Sequence, residues 1–214
     1  MNAALENLLN HPQVWRGKRA TWTDAGCIAS GFAELNAQLP GGGWPRGALT
    51  EVLLPRHGIG ELRLLLPALA GLNREKNWIA LIAPPYVPYA PAWQACGLDI
   101  SRLLWVHPRH PADHLWAVEQ ALRTGTCGAV MSWPTVTPTF QQLRRLQLAA
   151  ETGRCWGVMF RPLESTSQAT PASVRVQLEP HAQGLSVHLL KRRGAWSGDV
   201  VQLSLPLSVA AIAN

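Results

Sequence analysis

The chain has 214 residues, of which 47% are hydrophobic and 15% charged, with a net charge of +6 and a pI near 9.7. That composition supplies one α/β core and excludes a disordered chain. Residues 101–214 carry 11 Lys/Arg against 6 Asp/Glu, a basic bias that suits a polyanion or an acidic partner.

In chain order, Ala4 to Leu9 reads as a short amphipathic helix stopped before His11-Pro12. An irregular stretch with Trp15, Lys18 and Arg19 follows, so residues 1–27 form an N-terminal segment whose Leu5, Leu8, Leu9 and Trp15 fold back on the chain or dock on a neighbour. The Gly41-Gly42-Gly43 turn leads into an apolar strand over 48–54, and a helix over about 61–73 follows, kinked or restarted at Pro67. A buried strand over 78–83 stops at Pro84-Pro85, and a short helix over 91–96 is closed by Gly97. Next come a strand over 103–106, a helix over 112–124, a strand over 129–133, a helix over 140–152 and a strand over 156–160. This succession predicts a mostly parallel sheet with helices on both faces. Alternating apolar and polar residues over 173–178, 185–191 and 200–205 then predict an antiparallel meander at one sheet edge. Residues 162–171 form the most loop-like stretch, and 207–214 form a tail.

The four cysteines, at 27, 96, 127 and 155, form no CxxC pair, which fits buried reduced thiols and argues against a zinc ribbon or redox motif. MNAALENLLNHP lacks a basic n-region before a long apolar core, and no apolar run reaches bilayer length, so a cytoplasmic location is expected. Most of the ten Trp are expected to be buried, and some to serve an interface. His107, His110, Asp113 and His114 read as a polar loop rather than a metal site, since no Cys accompanies them and no structural zinc spacing fits.

A strand, then a loop with Gly58 and Gly60, then a helix is the setting of a phosphate-binding loop. A working loop needs a Lys after its last Gly and then a Ser or Thr for magnesium. Glu61 and Leu62 stand there instead, and a carboxylate at that range repels phosphate.

IASGFAELNAQLPGGGWPRGALTEV at 28–52, Gly97-Leu98-Asp99-Ile100 and Ala172-Ser173-Val174-Arg175-Val176 resemble the core of RecA-type recombinases over residues 28–206. Within that group the chain looks most like the ImuA proteins; the related SulA-type division inhibitors share the same degenerate core over its earlier part. The resemblance implies a RecA-like fold and places further ATPase positions. Ala83-Pro84-Pro85 lacks the water-orienting carboxylate, Ser132-Trp133 replaces the magnesium-ordering Asp, and Arg161 stands at the polar sensor. With Glu61 and Leu62 these failures imply a non-enzyme without cofactor, and the Trp133 ring fills volume that nucleotide would use. An ImuA resemblance implies a non-catalytic scaffold in SOS-induced error-prone translesion DNA synthesis. Its partners would be an ImuB-like Y-family protein and a DnaE-type polymerase, with RecA, single-stranded DNA or a second copy as further candidates. The alternative is a SulA-type inhibitor of the tubulin-like division protein, for which a chain trimmed to about residue 172 is expected to keep its activity.

Three groups are candidates for DNA or partner binding. Lys191-Arg192-Arg193 with Trp196 suits single-stranded DNA through phosphate contacts and stacking, or equally protects an edge strand. Arg144 and Arg145 share an exposed helix face that is a partner contact or simply solvated. The third is the N-terminal segment through Lys18-Arg19.

Overall fold

The structure, a computed structural model, describes residues 26–192 and 199–205. The expected N-terminal helix with Trp15, Lys18 and Arg19, together with Arg193, Trp196 and the tail 207–214, lies outside the described residues. A small hairpin comes first: β1 (Cys27–Ile28) pairs antiparallel with β2 (Trp44–Pro45), with helix α1 (Ala33–Gln38) between them. The main chain of elements follows as β3 (Leu49–Leu54), α2 (Glu61–Arg74), β4 (Trp78–Ile82), α3 (Ala90–Ala95), β5 (Leu103–Val106), α4 (Pro111–Arg123), β6 (Cys127–Ser132), α5 (Phe140–Gly153) and β7 (Trp156–Pro162). It ends in β8 (Val174–His181), β9 (Gly184–Arg192) and β10 (Val200–Ser204).

The eight strands from β3 onward form one sheet in the order β10-β9-β8-β3-β7-β6-β4-β5. Strands β3 to β8 pair in parallel, and β9 and β10 add antiparallel. Strands buried on both faces read as continuous apolar runs, and β4 and β6 do so. Side-chain alternation divides the interior into two cores. Ile79, Leu81, Ala129, Met131, Val158 and Phe160 pack toward α2 and α3, whereas Ala80, Ile82, Val130 and Met159 pack toward α4 and α5.

Helix α2 runs as one element through Pro67, so the chain does not restart there. The lost backbone hydrogen bond is outweighed by burial, because Leu64, Leu65, Leu66, Ala68, Leu69 and Leu72 all enter the core. The Pro67 ring also leaves no room at Gly31, where a Cβ would stand 2.4 Å from it and where φ is +87°. Three cysteines are buried, and burial pushes the thiols of Cys96, Cys127 and Cys155 up. Cys27 departs from the expectation: it is exposed, on the short β1 at the molecule's margin. Among the described residues, four Trp are buried (Trp44, Trp93, Trp133 and Trp156), whereas Trp105 and Trp116 face solvent.

Strand β3 carries a charge into the interior. Glu51 lies in register with Arg175 on β8, while Arg161 on β7 stands opposite Leu53, two residues along on the same face. The Glu51 carboxylate accepts from Arg161 at 2.6 Å and from Arg175 at 2.7 Å, and all three side chains are buried. Arg175 also donates to the carbonyls of Thr166 and Gln168, which holds the turn at 163–168 against the sheet.

Candidate functional site

The loop from Pro55 to Gly60 joins the carboxyl end of β3 to α2, and the Gly58 and Gly60 conformations (φ +84° and +110°) are ones that side chains rarely adopt. Such a loop aims successive amides into one concavity at a helix N-terminus, a ready-made anion site. Here the anion is internal. The Glu61 carboxylate folds back and accepts from the Gly58 amide at 2.8 and 3.1 Å and from the Gly60 amide at 3.1 Å. Glu61 is buried, and half-buried Leu62 packs on the core. The sequence foretold repulsion of phosphate; the geometry goes further, since a carboxylate already takes the amides a phosphate would need.

Beside this loop, outside the carboxyl ends of β3, β4 and β6, lies a groove of about 270 Å³. This is where open α/β sheets bind their ligands. Gly58, Gly60, Glu61 and Arg63 form one side, and the loop Pro84–Tyr89 forms the other. Trp133 and Trp93 line it as well. Trp133 follows β6, is 6% exposed, and stacks on Phe160 with ring centroids 4.6 Å apart and planes 12° apart. Its indole Nε1 is buried without a hydrogen-bond partner. The ring therefore fills the interior below the groove, as the sequence suggested.

The loop over 83–89 is the feature that sequence reasoning missed. Ala83 turns the chain at φ +52°, a strained value for a residue with a Cβ, costing about 1–3 kcal/mol. Tyr86, Val87 and Tyr89 then stand 68%, 73% and 71% exposed between Pro84-Pro85 and Pro88. Apolar and aromatic residues held out in water by a proline-stiffened loop mark a binding surface. The signal was present in the sequence: aromatics set among prolines that forbid both helix and strand.

The other expected site residues scatter. Lys191 donates to the Thr170 carbonyl at 2.7 Å. Arg192 donates to Gln38 and forms an ion pair with Asp199 at 2.6 Å, so it ties the end of β9 to α1 and β10. Arg144 and Arg145 are exposed on α5, and Arg145 pairs with Glu119 on α4. Arg144 and Lys191 come together at the rim of a separate depression of about 430 Å³ that also takes in Glu151. The His run disperses: His107 lies against Trp105, His110 precedes α4, and His114 points inward to Ser132 at 2.8 Å. Burial pushes the His114 pKa down and keeps the ring neutral. No cluster of three or more potential metal ligands occurs among the described residues. No described helix is long and apolar enough to cross a membrane. Arg161, at the expected sensor position, gives its two terminal nitrogens to Glu51 and Gln168 in the buried cluster.

A glycine loop closed by its own carboxylate thus lies beside an exposed aromatic groove. The family model described as cell division inhibitor SulA matches residues 47–157, from the turn before β3 into β7, and the chain belongs to the SulA family. A cell division inhibitor SulA from Klebsiella aerogenes is 37% identical over 106 residues, a match covering 49% of this chain and 62% of that protein. One from Pectobacterium carotovorum subsp. carotovorum is 34% identical over 120 residues, covering 56% of this chain and 71% of the relative. A third, from Yersinia enterocolitica, is 28% identical over 120 residues.

These relatives correct the main expectation. The matched proteins are named as cell division inhibitors, which overturns the translesion-synthesis role drawn from the ImuA resemblance and favours the division-inhibitor alternative. The ImuB-like and DnaE-type partners had come with that role alone. Both sides of the groove, from Gly58 to Trp133, lie within the matched segment, whereas Lys191, Arg192, Arg193 and Trp196 lie beyond it.

Proposed function

We propose that this chain is a non-enzymatic SulA-type inhibitor of cell division, made in response to DNA damage and acting in the cytoplasm by binding the tubulin-like division protein. The observation that carries the reading is the exposed Tyr86-Val87-Pro88-Tyr89 edge of the groove, the most exposed apolar feature within the segment shared with the named inhibitors. The fold is read as RecA-like; in support, the parallel strands run in the order β5-β4-β6-β7-β3 with the meander attached beyond β3. On this reading a nucleotide-binding frame serves as a shape, and its ligand-facing loops serve as a protein-binding surface.

A Val87→Asp/Tyr89→Ser variant tests it. Both residues are exposed, so unfolding stability is expected to move by no more than about 0.5 kcal/mol. Inhibition of division-protein assembly, followed by light scattering, is expected to weaken roughly 30-fold, the effect of losing about 2 kcal/mol at the centre of an interface. A double variant as inhibitory as the parent removes the groove from the mechanism. Point substitution is the sounder test than trimming near residue 172, because such a cut removes Arg175 from Glu51 and uncovers one side of β3.

The same reading excludes nucleotide. Titration with ATP and magnesium at millimolar concentration is expected to leave the melting temperature unchanged, since any ligand of the native state raises it. Substituting Glu61→Ala leaves the Gly58 and Gly60 amides without their acceptor and is expected to cost about 1–3 kcal/mol of stability. Lys and Thr placed at 61 and 62 restore no hydrolysis, because no acid stands at Ala83-Pro84-Pro85 or at Trp133. Saturable stabilisation of the parent chain by ATP refutes this part.

A further inference from the structure

At the amino ends of β4, β6 and β7, away from the groove, lies a polar bowl of about 650 Å³. Three guanidiniums line it from three places in the chain. Arg46 stands between β2 and β3, Arg123 is the last residue of α4, and Arg154 caps α5. A glycine brings the last two together. A Cβ on Gly153 would meet the Leu122 carbonyl at 1.9 Å, so the ends of α4 and α5 approach each other only because that residue has no side chain. Cations at helix carboxyl ends have an ordinary use, which is to satisfy the last carbonyls. Part of that need is met by other groups here. The Thr124 hydroxyl donates to the Ala121 carbonyl at 3.3 Å, and the Thr152 hydroxyl donates to the Leu148 carbonyl at 2.8 Å. The charge of the bowl is not balanced from within. No described Asp or Glu lines it. Arg46 pairs at 2.9 Å with Glu75, which does not line the bowl, and Arg123 forms no ion pair among the described residues. Like charges held on a fixed frame cost free energy that an entering anion recovers.

We propose that this bowl is a second docking site, which takes an acidic segment of a protein partner and spreads its carboxylates over Arg46, Arg123 and Arg154. The lining favours a peptide over a nucleic acid. It contains no aromatic ring on which bases could stack, only hydroxyl, amide, thiol and glycine between the cations. Asp or Glu side chains on one flexible segment can instead reach separate guanidiniums, each of which accommodates a carboxylate through two parallel hydrogen bonds. Contacts made together by one segment add up where a single small anion would bind weakly. The net charge of +6 aids capture at a distance. This assignment does not rest on the groove or on the division-inhibitor reading. A partner held in the bowl leaves the groove open, because the two sites lie at opposite ends of the parallel strands.

The test follows a dye-labelled hexa-aspartate peptide by fluorescence anisotropy, with the full chain, an Arg123→Gln/Arg154→Gln variant and an Arg123→Lys/Arg154→Lys variant. The parent is expected to bind the peptide saturably, and less tightly as salt rises from about 50 mM to about 500 mM. The Gln pair is expected to weaken binding about tenfold or more, whereas the Lys pair, which keeps the charge, stays within about threefold of the parent. Thermal melting checks that the variants are folded. If the Gln pair melts early, Arg123→Gln alone, at an exposed residue, gives the same reading with about a threefold loss. Magnesium-bound ATP is expected not to compete, because the metal already covers its phosphate charge. Absence of saturable peptide binding overturns the proposal. Equal binding by the parent and the Gln variants overturns it as well, since the peptide then sits elsewhere. Competition by magnesium-bound ATP overturns the choice of carboxylates. Tighter binding of an oligothymidylate of equal charge, lost in the same Gln variants, overturns the choice of a protein partner.

Discussion

Replacing Glu51 with Gln is expected to cost the fold about 3–5 kcal/mol, the characteristic loss when one partner of a buried ion pair is removed. Arg161 and Arg175 both meet this carboxylate in the interior, and neither has another charge to turn to among the described side chains that contact them. With Gln at position 51, two guanidiniums face one neutral carbonyl oxygen and an amide that donates where they need an acceptor. Arg161 Nε and Arg175 Nη2 are already buried without a partner, so the cluster has no spare acceptors to absorb the change. The damage is expected to extend beyond β3. Arg175 also holds the carbonyls of Thr166 and Gln168, and Arg161 reaches the Gln168 side chain, so the 163–168 turn loosens with the pair. Urea unfolding read by circular dichroism checks the magnitude, and hydrogen exchange of 163–170 checks the spread. A loss below about 1 kcal/mol would show that water reaches the cluster and that the charges are solvated rather than buried.

The succession of strands and helices was legible because each element is short, apolar and closed by Gly or Pro. The spacing puts Leu115, Val118, Ala121 and Leu122 on one face of α4; Val118 and Leu122 are buried in the core, and Leu115 and Ala121 are partly buried against it. The places of Glu61, Leu62 and Trp133 in the fold were legible too, since they sit next to recognisable landmarks such as Gly58-Gly60 and the end of β6. The buried cluster was not, because Glu51 is separated from Arg161 and Arg175 by 110 and 124 residues and only the sheet order brings them together. Nor was the β1–β2 hairpin: strands of two residues carry no alternation to read. Glu61 was recognised as wrong for phosphate, but that it would turn back onto the loop amides depends on backbone conformation at Gly58 and Gly60. The role was misjudged for a related reason: the basic end of β9, on which the DNA-binding expectation rested, lies beyond the segment matched to named inhibitors.

Trp133→Ala is expected to destabilise the chain by about 3–5 kcal/mol, the range for deleting a large buried ring. The indole is 6% exposed and stacked on Phe160, and it lies in the core that also holds Leu81, Met131 and Trp93. Removing it leaves a void that opens toward the groove, so the site collapses only in part and the penalty stays high. Trp133→Phe separates packing from polarity. It keeps an aromatic face for Phe160 and discards the Nε1–H that has no acceptor, so its cost is expected to stay below about 1.5 kcal/mol. Equilibrium unfolding of the two variants in denaturant measures both. Stabilities that rank Phe near the parent and Ala far below establish that this ring supports the groove from beneath. The exposed residues Tyr86, Val87 and Tyr89 are then free of packing constraints, whereas Trp133 is held by the fold. If the Ala variant loses less than about 1 kcal/mol, the ring is not a structural support, and its place among the groove-lining residues makes it a contact residue instead.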